Sequence, residues 1–265
     1  MNKNIIKIVA NIFILTGSLL LMINIIGIFH YTTINEANPH ILDESPTQIS
    51  EQEFWDNAYR KNGETIEVYV NRLNALVSDR MLLIDPKYAK PTFFENYILW
   101  AYSQHLNYYE WKNTKKAVRL GGGFCSQHAI VFNNILREQK IVSRILGLGG
   151  HVLNEVLIEG KWKVHDPDYN VIFGVSLKDL ESNPKEVYQA YKNAGRPEDE
   201  AKYWQEVFGS DTDNWYFQSS IVYSVLGFLI ETLSFFLIWI LPIAFILIGI
   251  LIKKYRLTTR SLHYP

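Results

Sequence analysis

The chain has 265 residues, of which 48% are hydrophobic and 20% charged, a balance that excludes a disordered chain with too few apolar residues to form a core. Its formal net charge is −1, but the segment 30–219 holds 20 of the 26 Lys and Arg and 26 of the 27 Asp and Glu. The resulting net charge of about −6 argues against nucleic acid as a partner, because nothing supplies a basic surface for phosphates. A single cysteine, Cys125, excludes an intramolecular disulfide and any CxxC metal or redox motif.

Two uncharged stretches lie near the ends of the chain, IVANIFILTGSLLLMINIIGIF at 8–29 and LSFFLIWILPIAFILIGILI at 233–252. As a helix each would be about 30 Å long, enough to cross the hydrocarbon core of a bilayer, so both are predicted to be membrane spans. A cleaved signal peptide is the alternative for the first stretch. Its apolar run exceeds the usual h-region, however, and the following HYTTINEAN offers no good small-x-small cleavage site.

Basic residues flank both spans on their outer ends, namely Lys3, Lys7, Lys253, Lys254, Arg256 and Arg260. Because positive charge marks the cytoplasmic side, both termini are expected in the cytoplasm and the middle of the chain outside it. The predicted organisation is an N-terminal anchor (1–30), a polar linker (31–50), an extracytoplasmic domain (51–219) and a C-terminal span with a basic tail (220–265). The stretch 221–232 either extends the second span or lies on the membrane surface.

Helical patterns open the predicted domain. TIEVYVNRLNALVSDRMLLI (65–84) spaces its apolar residues for one helix face. NYILWAYSQHLNYYEW (96–111) is predicted to be a second, aromatic-rich helix whose Tyr and Trp stripe belongs to the core.

The stretch RLGGGFCSQHA (119–129) places three glycines just before Cys125. The apolar positions Ala129, Phe132 and Leu136 follow at helical spacing, so a helix is expected to begin at or near Cys125, where the helix dipole favours a thiolate. Since glycine loses conformational entropy on folding, the run implies an unusual backbone angle or a close approach. We interpret it as backbone brought close to the thiol without side chains that would obstruct a substrate.

Downstream the periodicity changes to two in SRILGL, HVLNEVLI and KWKVHDPDYNVIF, which are predicted strands. A two-residue hairpin turn at Glu159-Gly160 would pair Ile158 with Lys161 and set His151 opposite Asp168. Because alternate residues share a face, four side chains are expected on one side of the sheet and His165 on the other. The four are His151, Leu153, Asp166 and Asp168.

Helical signals return over 176–209, with one helix between Pro184 and Gly195 and another in PEDEAKYWQEVFG.

A cysteine at a helix start, a histidine on one strand and an aspartate on the next are the parts that thiol chemistry needs. Their order and their surroundings, GGGFCSQHA, KIVSRILGLGGHVLNEV and WKVHDPDY, resemble the transglutaminase-like superfamily, whose fold is related to papain-like cysteine proteases. The resemblance covers roughly residues 95–175. It implies an α+β core, in which a helix carrying the cysteine packs on a small antiparallel sheet, flanked here by two transmembrane helices. It also implies Cys125 as nucleophile, His151 as general base and Asp166 as orienting carboxylate.

Other positions near these motifs match or depart from the family pattern. Arg144 matches the family's usual arginine, whereas Lys140 stands where a glycine is common and Leu153 where an aromatic residue often follows the histidine. DPDY replaces the commoner D-P-T ending, so Asp168 is a minor rival to Asp166. His128 lies one helical turn from Cys125 and could tune it, but like His165 it is interpreted as structural or exposed. No oxyanion-hole side chain can be assigned.

The resemblance implies a membrane-anchored cysteine hydrolase or acyltransferase that acts on amide bonds of a peptide or protein. Resolution of its thioester by water would make it a peptidase or amidase, and resolution by a lysine amine a crosslinking enzyme. No cofactor and no metal are expected, because the histidines are scattered and no HxxxH or EF-hand spacing occurs. Arylamine N-acetyltransferases share a similar glycine-cysteine motif and triad order, but their acetyl-CoA donor is cytosolic. The alternative is a catalytically silent binding or scaffold protein with cell-envelope partners, in envelope or polysaccharide assembly.

Overall fold

The structure is a computed structural model that describes residues 3–29, 31–42, 48–107, 109–209, 214–216 and 225–261. Helices and short strands both occur along the chain, which confirms the α+β class. The helices are α1 (Lys3–Phe29), α2 (Glu51–Asn57), α3 (Ile66–Arg80), α4 (Tyr97–Ser103), α5 (Thr114–Leu120), α6 (Cys125–Glu138), α7 (Leu177–Ser182), α8 (Lys185–Asn193), α9 (Glu198–Phe208) and α10 (Val225–Ser261). The strands are β1 (Leu82–Leu83), β2 (Gly122–Gly123), β3 (Ser143–Leu148), β4 (His151–Ile158), β5 (Lys161–Asp166), β6 (Val171–Ile172) and β7 (Trp215–Tyr216).

The chain forms two compact units. The first, which we call the helical unit, comprises Met1–Thr32, Pro91–Asn107 and Leu226–Pro265. The second, which we call the α+β unit, comprises Thr33–Lys90 and Tyr108–Val225.

The helical unit contains two helices that are long and apolar enough to cross a membrane, Asn4–Phe29 with 26 residues and Gly227–Tyr255 with 29. Glycines let them approach closely. A Cβ on Gly17 would lie 2.6 Å from the carbonyl oxygen of Pro242, and one on Gly249 would lie 2.7 Å from that of Ala10. The part of 221–232 from Val225 onward continues the second of these helices, while 221–224 lies outside the described residues.

The prediction of an aromatic helix over 96–111 is wrong in its length, because the helix is shorter. Helix α4 begins after Asn96, whose side chain accepts the N–H groups of Ile98 and Leu99, and it ends at Ser103. The Ser103 hydroxyl donates to the carbonyl of Trp100 at 2.8 Å, so a side chain satisfies a carbonyl of the last turn. The predicted core stripe is also only partly formed, because Trp100 remains 37% exposed.

The α+β unit is built on a five-stranded antiparallel sheet in the order β6-β5-β4-β3-β7. The predicted hairpin register is confirmed from Ile158 opposite Lys161 to Asn154 opposite His165. Glu159 and Gly160 form its turn with φ angles of 51° and 77°, the left-handed values that a two-residue hairpin turn of type I′ requires.

The two faces of the sheet pack against different helices. Leu153 of β4 and Val164 of β5 belong to a core that includes side chains of α7, α8 and α9. Ile145 of β3 packs instead against Ala129 and Ile130 of α6. The helix that begins at Cys125 thus lies on one face of the sheet, and three short helices cover the other.

The expected pairing of His151 with Asp168 is wrong, because β5 ends at Asp166. The Asp166 carboxylate accepts the backbone N–H groups of Asp168 at 3.1 Å and of Tyr169 at 3.4 Å. These bonds form an Asx-type turn that takes the chain out of the strand. Asp168 therefore reaches the site from a turn and not from a strand.

Candidate active site

The three glycines before Cys125 each have a local structural cause. Gly121 ends α5 with a left-handed φ of 79°. Gly122 runs beside β1, where a Cβ would lie 2.9 Å from the carbonyl oxygen of Leu82. A Cβ on Gly123 would lie 2.5 Å from the Gln127 side chain, whose amide is fixed by two hydrogen bonds to the Trp111 backbone.

Helix α6 begins at Cys125, as the sequence predicts, because Phe124 is the extended N-cap residue with φ −86° and ψ 172°. The thiol therefore lies at the positive end of a helix of 14 residues, where the dipole favours an anion. Cys125 is a free cysteine and only 4% exposed.

His151 and Asp166 form a buried hydrogen bond, with His151 Nε2 2.8 Å from Asp166 Oδ2. His151 is the first residue of β4 and Asp166 the last of β5, so the hairpin brings them together. The same carboxylate oxygen accepts the hydroxyl of Tyr191 at 2.6 Å. The Asp166 carboxylate is fully buried, and with the two backbone N–H groups of its turn it has four hydrogen-bond donors.

Cys125 lies beside the same imidazole. Its Sγ, a ring nitrogen of His151 and a carboxylate oxygen of Asp168 lie within 4.8 Å of one another. Because Nε2 of His151 is bonded to Asp166, Nδ1 is the nitrogen left for the thiol. The structure thus brings together all three residues predicted for the site, and it adds Asp168.

The surroundings of His151 favour its protonated form. Burial alone would lower its pKa, but the charge and hydrogen bond of Asp166, together with Cys125, raise the pKa well above the usual value. For Asp166, burial opposes ionisation, yet His151, the Tyr191 hydroxyl and the Asp168 N–H hold its pKa below the usual value. An imidazolium next to a cysteine is the counter-ion that a thiolate requires.

Asp168 is a second buried carboxylate at the site. Burial raises its pKa, partly offset by the charge of His128. Neither of its oxygens has a hydrogen-bond donor among the residues that the structure describes; Nε2 of His128 lies 3.5 Å from Oδ1, and the charges of His151 and Arg196 also lower its pKa. His128 is itself fully buried between the carbonyls of Phe124, 3.0 Å from Nδ1, and Met81, 2.5 Å from Nε2.

Sequence reasoning missed the aromatic side chains that enclose the imidazole. The ring centroid of Trp204 lies 4.5 Å from that of His151, and the centroid of Tyr169 lies 5.5 Å away. Tyr191 and Trp204 come from α8 and α9, and the helical signals over 176–209 gave no sign that these helices contact the sheet. With His151 only 2% exposed, the site is largely closed to solvent.

The remaining predicted positions lie in other environments. His165 is on the opposite face, as predicted, where it contacts Asn71 and Phe132, and burial lowers its pKa to about 4. Arg144 pairs with the buried Glu155 at 2.8 Å and lies over the Trp162 ring.

Known proteins supply no family assignment for this arrangement. No family model, curated protein or solved structure matches the chain. The geometry of the site is that of an activated thiol: a cysteine at a helix start, an imidazole beside it, and a carboxylate that orients the imidazole.

Proposed function

We propose that the protein is a membrane-anchored cysteine hydrolase or acyltransferase of the transglutaminase-like type, acting on amide bonds of a peptide or protein. One observation carries the proposal: His151 is hydrogen-bonded to Asp166 through Nε2 and lies beside the thiol of Cys125. The helix that carries the cysteine and the antiparallel sheet that carries His151 and Asp166 also agree with the papain-related core that the sequence resemblance implies.

In the proposed reaction the Cys125 sulfur attacks the carbonyl carbon of the amide, and its proton passes to His151. His151 then donates that proton to the leaving nitrogen, the C–N bond breaks, and a thioester on Cys125 remains. Water or an amine then attacks the thioester carbonyl and loses a proton to His151. The C–S bond breaks, the acyl product leaves, and His151 returns the proton to the sulfur. Asp166 keeps the imidazole in the required orientation and stabilises its charge, while the N-terminus of α6 favours the developing negative charge.

We further propose that both termini are cytoplasmic and that the α+β unit lies outside the cytoplasm. The two candidate spans and the basic residues at their outer ends support this orientation. It restricts the acyl donor to compounds present outside the cytoplasm, which disfavours acetyl-CoA and favours peptide or protein amides of the cell envelope.

A binding or scaffold protein without turnover is the second candidate. The observation that favours it is the closure of the site, where Cys125 and His151 expose 4% and 2% of their surfaces. An amide can reach the thiol only if neighbouring side chains move.

The deciding experiment is acylation of the full-length protein in detergent by a small active ester, followed by intact-mass measurement and peptide mapping. The enzyme should gain one acyl group on Cys125, and water or a primary amine should remove it. Cys125→Ala should abolish labelling, whereas Ser126→Ala, a matched change at the adjacent buried residue, should retain it. Full activity of Cys125→Ser in cells would refute the enzymatic function.

A further inference from the structure

The proposed reaction leaves one buried group at the site without a role. The side chain of Asp168 is buried, and both of its carboxylate oxygens lack a hydrogen-bond donor among the described residues. A buried carboxylate in this condition is costly, and proteins normally satisfy it with donors, a paired cation or a metal. The charges of His151 and Arg196 act on it without a hydrogen bond, and Nε2 of His128, 3.5 Å from Oδ1, is already directed at the Met81 carbonyl.

The position of this carboxylate indicates that a metal ion could bind to it. A carboxylate oxygen of Asp168, the Cys125 sulfur and a ring nitrogen of His151 lie within 4.8 Å of one another. Three ligands of a tetrahedral Zn²⁺ would lie about 3.5 Å apart, given Zn–S near 2.3 Å and Zn–N or Zn–O near 2.1 Å. No separation in the cluster therefore has to close by more than about 1.3 Å, and rotation of the Asp168 carboxylate, which makes no hydrogen bond, brings its oxygens to the metal.

We propose that Cys125, His151 and Asp168 form a binding site for one Zn²⁺ ion, with the fourth position left to water. A thiolate and an imidazole select zinc over magnesium and calcium, which prefer oxygen ligands alone. Asp166 would keep its hydrogen bond to Nε2 and so orient the ligating imidazole, as carboxylates do beside many zinc-bound histidines.

Zinc binding at this place excludes the proposed catalysis. The thiol and the imidazole share one dissociable proton in the resting pair, and both must be without it to bind the metal, so one proton is released and no electron is transferred. The metal withdraws electron density from the bound sulfur and occupies the ring nitrogen that would take up the proton, so neither group can play its part in the attack. Zn²⁺ is therefore a reversible blocker of the nucleophile, held by the carboxylate that the reaction does not use.

This inference concerns the same residues as the proposed function but not turnover, and its test uses Zn²⁺ as the only ligand. Full-length protein in detergent is titrated with Zn²⁺ in competition with a chromophoric chelator, and alkylation of Cys125 by iodoacetamide is followed in parallel. We expect one Zn²⁺ per chain and loss of alkylation at saturation. Asp168→Asn should weaken binding by about 100-fold or more, whereas the same change at the exposed Asp199 should leave the affinity unaltered.

X-ray absorption at the zinc edge of the wild-type protein gives a result that does not depend on the folding of any variant. One sulfur and two or three nitrogen or oxygen scatterers are expected. A shell without sulfur, equal zinc affinity in wild type and a folded Asp168→Asn, or undiminished alkylation of Cys125 at saturating Zn²⁺ would each overturn the proposal. A protein that binds zinc in this way but fails to form an acyl-enzyme would refute the proposed function alone.

Discussion

His151 and Asp166 lie 2.8 Å apart, Nε2 to Oδ2, in a hydrogen bond that is buried at both ends. The two residues are brought together by a turn at Glu159-Gly160, at the far end of the hairpin. The register of a hairpin follows from its turn, so a local signal fixes the geometry of the site several residues away.

Replacing Asp166 by Asn tests which of the two carboxylates orients the imidazole. A neutral amide cannot stabilise the imidazolium, so the pKa of His151 should fall and the acylation rate of Cys125 should decrease by about 100-fold or more. Asp168→Asn should cause a clearly smaller loss, because Asp168 makes no hydrogen bond to the ring. Stopped-flow measurement of acylation by an active ester gives the rate for both variants. A larger loss in Asp168→Asn would exchange the roles of the two residues.

Tyr191→Phe removes one hydrogen bond to Asp166 and keeps the aromatic packing. The Tyr191 hydroxyl lies 2.6 Å from Asp166 Oδ2 and helps to hold the pKa of that carboxyl down. We expect a loss of about 1.5–3 kcal/mol in unfolding free energy, typical of a hydrogen bond to a charged group, with a several-fold decrease in the acylation rate. Thermal unfolding in detergent is compared with Tyr188→Phe, a partly buried tyrosine of the same helix. Equal effects of the two changes would deny Tyr191 a role as a positioning residue.

Lys140→Gly should stabilise the protein. Lys140 has a φ of 58° at the entry to β3, a left-handed conformation that costs a non-glycine residue about 1 kcal/mol. The melting temperature should rise by a few degrees. Gly121→Ala should lower the melting temperature. The φ of Gly121 is 79°, and the new Cβ would lie 2.7 Å from Gln48 Nε2 and 3.0 Å from the Ile34 carbonyl oxygen. A decrease in stability for Lys140→Gly would show that the lysine side chain makes a compensating contact.

The orientation in the membrane is tested with reporter fusions. A reporter enzyme that folds only outside the cytoplasm should be inactive when fused after Pro265. It should be active when inserted at Gly63, which has a φ of 79° and open space around it, since an added Cβ would meet no atom within 4 Å. The reverse pattern would place the site in the cytoplasm and restore acetyl-CoA as a candidate acyl donor.

The elements predicted correctly are those that local patterns determine. The start of α6 at Cys125 and the hairpin register from Ile158 to Asn154 follow from helical spacing and turn chemistry within short stretches. The contact of Tyr191 with Asp166 joins residues 25 positions apart and depends on how α8 packs on the sheet. Asp168 was misplaced because the Asp166 side chain accepts the Asp168 N–H and so ends the strand. The alternation of apolar and polar residues does not show where a side chain replaces the hydrogen bonds between strands. Its proximity to Cys125 could not be read from spacing, since the two residues lie on separate elements.

The most direct test of the account is the pH dependence of Cys125 alkylation by iodoacetamide in the full-length protein and in His151→Ala. Because the pKa of His151 is raised, its imidazolium persists beside the Cys125 sulfur above the pH at which a free histidine loses its proton. Wild type should react at pH 6 about 100-fold faster than His151→Ala, whose rate should rise only toward pH 8.5, where a free thiol ionises. His105→Ala, at an exposed histidine, should behave as wild type. Rates that rise only near pH 8.5 in both proteins, or no alkylation of the native protein at all, would contradict the activated nucleophile.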